Sequence, residues 1–263
     1  MDSPTILWHG VNSERVEIET FRNNHLQDPS YAPSPLFLSR TSWLASVTHD
    51  TLCNSKDGLP ALVSVIGSIS SEGLFMEPQG NYDGNATHSQ PNNCTSNFEQ
   101  AEYQFSLIPP VGHADLRADF TAAVSHFRTV AGFVADPPGS FEEWNNERSF
   151  IGDDGHSHIT LNFSFPLFNR TGSHGSAEHE WAHYRASLDA EYKHLLDPII
   201  DSFTLQHLSV SDYFGQCEVK EEEYQNRLDG ALVEVLFNLS NMYGQGLYAV
   251  PVAVAIIHKE DKK

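Results

Sequence analysis

His158-Ile159-Thr160-Leu161-Asn162-Phe163-Ser164-Phe165-Pro166-Leu167-Phe168 alternates large apolar residues with small polar ones. That period of two belongs to a strand with one face in a core and the other toward water. On its C-terminal side, Thr171-Gly172-Ser173-His174-Gly175-Ser176 reads as a loop, and the spacing predicts a helix from Ser176 to Leu196, stopped at Asp197-Pro198. On its N-terminal side lie a polar connection over Ser140–Gly155 and a helix over His113–Ala135. Leu116, Phe120, Val124, Phe127, Ala131 and Val134 recur there every three or four residues, and Asp136-Pro137-Pro138-Gly139 ends the pattern. Further out, Thr5–Trp8, Ala61–Ile66, Tyr103–Ile108 and Leu247–Ile257 read as strands, with Pro251 placing the last at an edge or bulge. Ser13–Phe21 and Lys220–Tyr243 read as helices, the second with Tyr224, Leu228, Ala231, Val235, Leu239 and Met242 on one face. The sum is an α+β fold, a mixed or antiparallel sheet with about four helices. It is expected to be a single domain over residues 1–263, with a subdomain boundary possible in the polar loop 77–98.

The chain has 263 residues, 40% hydrophobic and 11% aromatic, enough for a sizeable core. No apolar run approaches the roughly 20 residues that cross a bilayer, so no membrane partner is expected. With 15 Lys plus Arg against 35 Asp plus Glu, the formal charge of −20 predicts repulsion of polyanions, and nucleic acid is excluded on that ground. Asn85, Asn93, Asn162, Asn169 and Asn238 each begin an N-glycosylation acceptor triplet. They point to a secreted glycoprotein. The opening Met1-Asp2-Ser3-Pro4 shows no basic and apolar leader and keeps a cytoplasmic protein as the alternative. Cys53, Cys94 and Cys217 allow one disulfide with one thiol left over and lack the Cys-x-x-Cys spacing of a zinc framework.

The chemistry concentrates in His179-Glu180-Trp181-Ala182-His183. Histidines four apart on a helix share a face and can reach one metal ion, with Glu180 beside them. These five residues resemble the zincin metallopeptidases, and a strand leading through a Gly/Ser-rich loop into the motif is similar to the local order in that family. The resemblance implies a Zn2+-dependent hydrolase acting on a peptide or a small-molecule substrate. His179 and His183 would hold the metal, and Glu180 would take a proton from metal-bound water. A third ligand is required. Asp212, in Ser211-Asp212-Tyr213-Phe214-Gly215, is similar to the aspartate of the deuterolysin-like aspzincins. Asp189 matches the family's third position in sequence, and a gluzincin-like ligand would come from Glu218, Glu221, Glu222 or Glu223.

Two other constellations compete. His156 and His158, two apart on a strand, face the same way, and with His174 or His179 they could form a three-histidine site. The order Trp8-His9-Gly10, the helix over Ser13–Phe21, Leu36-Phe37-Leu38-Ser39, a helix start at Trp43-Leu44-Ala45 and the strand Ala61–Ile66 resembles the opening of the ADP-ribosyltransferases. It implies a nicotinamide nucleotide held near His9. The remaining expectation is a non-catalytic binding or structural protein. No G-x-S-x-G, phosphate-loop or G-x-G-x-x-G motif is present, which argues against serine hydrolase, nucleoside triphosphatase and dinucleotide-linked chemistry.

Overall fold

The alternating stretch forms one wall of a curled sheet in the computed structural model, which describes residues 14–46, 49–86, 94–132, 150–153, 159–170, 176–212, 217–242 and 246–258. In chain order, helix α1 (Glu14–His25) and the single turn α2 (Phe37–Arg40) precede a hairpin of β1 (Thr41–Ala45) and β2 (His49–Asn54). Then come β3 (Leu62–Ile69), β4 (Glu102–Ile108), α3 (Ala114–Gly132), β5 (Ile151–Asp153), β6 (Ile159–Pro166) and β7 (Phe168–Arg170). Helix α4 (Glu178–Ser187) follows, with β8 (Phe203–Leu205), β9 (Ser209–Asp212), β10 (Cys217–Glu218), α5 (Tyr224–Leu228), β11 (Leu232–Met242) and β12 (Gly246–His258). Among the described residues, a mixed, mainly antiparallel sheet with five helices, two of them very short, is the α+β class read from the sequence.

The sheet runs β10-β9-β12-β11-β3-β4-β6-β5, with the β1–β2 hairpin attached to β11. Its middle closes on itself. Strands β12, β11, β3, β4 and β6 pair in that order, all antiparallel, and β12 lies against β6 again on the far side. Phe150 stitches the gap: its N–H donates to the Leu247 carbonyl at 3.2 Å, and its carbonyl accepts the Asn162 N–H at 2.8 Å. Counted along the chain, the barrel strands are β3, β4, β6, β11 and β12, and around the barrel they run first, second, third, fifth, fourth. This is a partly open Greek-key barrel.

Alternation decides what fills it. Val63, Val65, Tyr103, Phe105, Leu107, Leu161, Phe163, Val233, Val235, Phe237 and Leu239 point to one shared core. Phe105 and Phe163 stack at 5.1 Å, and Phe150, Phe163 and Phe237 meet edge to face or tilted at 5.1 to 5.6 Å. Helix α3 adds Phe120, Val124, Phe127 and Val130 to this core. A smaller cluster of Phe21, Tyr31, Ile66, Leu116, Leu232 and Ile257 covers the opposite side of β3, β11 and β12 beneath α1. Arg22 of α1 clamps Asp119 of α3 with two bonds, 2.6 and 2.8 Å, across the top of that layer.

Several expectations are corrected here. Lys220–Tyr243 is not one helix: a turn of 3-10 helix (Glu221–Glu223) and α5 stop at Asp229-Gly230, and the rest is the long strand β11. The helix expected over Ser176–Leu196 ends at Ser187, where Leu188 turns extended. Trp43-Leu44-Ala45, expected to start a helix in the ADP-ribosyltransferase-like order, is a strand. Ser209–Asp212, which holds the ligand candidate Asp212, is a strand that pairs parallel with β12. Pro251 does sit at a bulge, where the β12 register slips opposite Leu236 and Phe237. No helix among the described residues is long and apolar enough to cross a membrane.

Candidate binding face of the barrel

Helix α4 carries the H-E-x-x-H residues on its wet side. Its buried stripe is Trp181 and Tyr184, with Leu188 just beyond, and it packs on Phe168. A helix that buries positions 181, 184 and 188 must turn 179 and 183 outward, and both histidines are exposed. Glu180 faces neither of them. Its carboxylate accepts the Ala177 N–H at 2.9 Å, satisfying one of the open donors at the helix start. The neighbouring cleft, about 560 Å³, is bounded by Ser176, Glu178, Trp181, Ala182, Arg185, Ile200 and Asp201 and by neither histidine.

The other candidates are dispersed. Asp189 is exposed in the turn that follows α4. Asp212 accepts a 2.6 Å bond from Arg227. Glu221 pairs with His207 at 3.0 Å, while Glu218, Glu222 and Glu223 are exposed. The bond from Glu221, acting against partial burial, raises the pKa of His207, with the charges of Glu221, Glu180 and Glu218 adding to it. His9, His156, His158 and His174 lie outside the described residues. Among the described residues no three His, Cys, Asp or Glu side chains come together as a metal site. The zinc-hydrolase expectation, with its metallopeptidase chemistry and peptide substrate, is therefore corrected. The motif is a solvated helix face whose glutamate caps its own helix.

The barrel offers a different surface. Because Phe105, Leu107, Leu161 and Phe163 point inward, their neighbours Gln104, Ser106, Thr160, Asn162 and Ser164 form the outer face of β4 and β6. Gln104 stands opposite Ser164, and Ser106 stands opposite Asn162 and donates to its Oδ1 at 2.7 Å. The Gln104 amide donates to Glu102 at 3.0 Å at the end of the strip. On β5, Gly152 lies flat against the same face: a Cβ there would stand 2.6 Å from the Asn162 amide nitrogen and 2.7 Å from the Thr160 hydroxyl. Gln104 and Thr160 are buried within this strip, so its accessible groups are the uncharged donors and acceptors of Ser106, Asn162 and Ser164, with the half-buried Glu102 carboxylate at one end, a set suited to neutral polar groups such as base edges or sugar hydroxyls. Sequence reading registered these residues only as the wet half of two strands.

A partly open, five-stranded Greek-key barrel closed in this strand order has the topology of the OB fold. No protein-family profile and no curated protein matches the chain. Among solved structures it is similar to gp2.5, a single-stranded DNA binding protein encoded by bacteriophage T7, with 11% identity and a TM-score of 0.37 over 76% of this chain and 93% of that one. It is also similar to a C-terminally truncated single-stranded DNA-binding protein from bacteriophage Enc34, with 10% identity and a TM-score of 0.37 over 84% of this chain and 96% of that one. The resemblance to the zincins stops at five residues of α4. The exclusion of nucleic acid, drawn from net charge alone, is corrected as well. A net charge of −20 is a sum over the whole chain, whereas binding depends on the charge of the contacting face.

Proposed function

We propose that the chain is a non-catalytic binding protein that lays a single-stranded nucleic acid across the outer face of β4 and β6. The observation that carries this is the strand order of the barrel, which puts two neighbouring strands with an uncharged, hydrogen-bonding outer face at the place where OB barrels take oligomers. The chemistry of the face sets the mode of binding. Single-strand grooves commonly combine cations along the backbone with stacked aromatics, but the strip from Gln104 to Ser164 contains neither. Contacts would be made to bases and sugars through Ser106, Asn162 and Ser164, with little neutralisation of phosphate. Each such bond is worth about 1 kcal/mol.

Fluorescence anisotropy with a labelled oligonucleotide of about 16 nucleotides, the upper site size for one OB fold, tests the proposal. Binding is expected with a slope of log K against log salt near zero, since counterion release of about 0.7 per phosphate contact is absent. Asn162→Leu is expected to weaken it by at least about fivefold, the worth of one lost bond. No binding at any salt, or binding unchanged in Asn162→Leu, would overturn it.

A further inference from the structure

Beneath α1, away from the β4–β6 face, is a group of charged side chains that the binding reading does not use. Glu234 stands on β11 and is only 2% exposed, although its neighbours Ile66, Leu232 and Ile257 form an apolar layer. One of its oxygens, Oε1, lies 3.3 Å from His25 Nε2, while Oε2 has no hydrogen-bond partner among the described residues. The other ring nitrogen of His25, Nδ1, lies 2.9 Å from the Phe21 carbonyl. Both nitrogens therefore face pure acceptors. A neutral imidazole has one N–H and can serve only one of them, whereas the imidazolium serves both.

We propose that His25, as an imidazolium shared between the Phe21 carbonyl and the Glu234 carboxylate, is a proton-operated latch that fixes α1 on the outside of the barrel. Loss of that proton loosens α1 and leaves the barrel folded. If the remaining N–H stays on Nδ1, the Nε2 lone pair is set against the Glu234 oxygens. If it moves to Nε2, the lone pair faces the Phe21 carbonyl. Either way a buried carboxylate loses the cation beside its Oε1 or the helix end loses a bond, and an unpaired buried charge is costly. The surrounding charges are Asp28 after α1, Arg22 on α1 forked onto Asp119 of α3, Asp115 one turn earlier on α3, and His258 ending β12 opposite Leu232. The Tyr31 ring stands edge-on to His25 at 5.5 Å, and its hydroxyl lies 3.4 Å from Asp119. Arg22 keeps its charge throughout and holds α1 through Asp119, so the opening stays local.

The direction follows from the balance on the ring. Burial disfavours the charged form, but the bond and charge of Glu234, the Phe21 carbonyl and the charge of Asp28 outweigh it and raise the pKa of His25. A raised value means that the latch is fully closed below the ordinary histidine pKa near 6.5 and is lost as pH rises through the value in the folded protein.

Native-state hydrogen exchange on the full chain between about pH 5.5 and 8.5, corrected for intrinsic rates, reads this out. Protection of the amides of residues 22–26, relative to those of β11, is expected to fall by up to about tenfold per pH unit above the His25 pKa. In His25→Gln the ratio is expected to be flat. Ring nitrogen shifts in the unmodified protein provide a readout that needs no variant: the titration midpoint of His25 is expected to lie above the ordinary histidine value near 6.5, and Glu234→Gln is expected to lower it. A His25 midpoint at or below the ordinary value near 6.5, or α1 and β11 protection changing together with pH, would overturn the latch.

Discussion

Ala114–Gly132 and Tyr224–Met242 both carry apolar residues every three or four positions, yet the first is a helix throughout and the second is mostly strand. The difference lies in what each stretch touches. Helix α3 has one buried side, Leu116, Phe120, Val124, Phe127 and Val130, and a wet side, so a period of 3.6 describes it fully. Strand β11 lies in the middle of the sheet between β12 and β3 and is covered on both faces: Val233, Val235, Phe237 and Leu239 enter the barrel, while Leu232 and Glu234 face α1. A strand buried on both faces is apolar at nearly every position, and almost any period can be drawn through it. The signal that separates the two is local: Asp229-Gly230, with Gly230 at φ +71°, is a turn that no helix can run through.

Phe237 offers the sharpest way to break this comparison. On a helix its position falls off the apolar stripe, and removing the ring would cost little. In the barrel the ring meets Phe127, Phe150 and Phe163 and is fully buried. Phe237→Ala is expected to destabilise the protein by about 3–5 kcal/mol in urea denaturation, and a loss below about 1 kcal/mol would restore the helical reading. A smaller effect of informative sign comes from Gly230→Ala. Within a helix the change would stabilise by about 1 kcal/mol. At a positive φ with open space around the site it is expected to destabilise by about 1 kcal/mol instead, because only the backbone conformation opposes the new Cβ.

How much of this was legible in the sequence differs between elements. Strands β4 and β6, helix α3 and the bulge at Pro251 announced themselves, because each has one buried side or one proline that fixes its place. The barrel did not. Closure depends on Phe150 joining Leu247 to Asn162, a pairing between residues far apart in the chain that no local pattern encodes. The site followed the same logic in reverse. His179, Glu180 and His183 form a conspicuous pattern, but whether two exposed histidines become a metal site depends on a third donor brought by another element, and none arrives among the described residues. The face made of Gln104, Ser106, Thr160, Asn162 and Ser164 carries no motif, only the polar half of an alternation. Two of the glycosylation triplets show the same limit: Asn162 and Asn238 sit half-buried within β6 and β11.

The most direct measurement is backbone and side-chain amide chemical-shift mapping of the isotope-labelled chain as a single-stranded oligonucleotide is added. The largest shifts are expected at the Asn162 side-chain amide and along Ser106 and Ser164, with α4 unmoved. Shifts centred on His179 and His183, or none along β4 and β6, would contradict it.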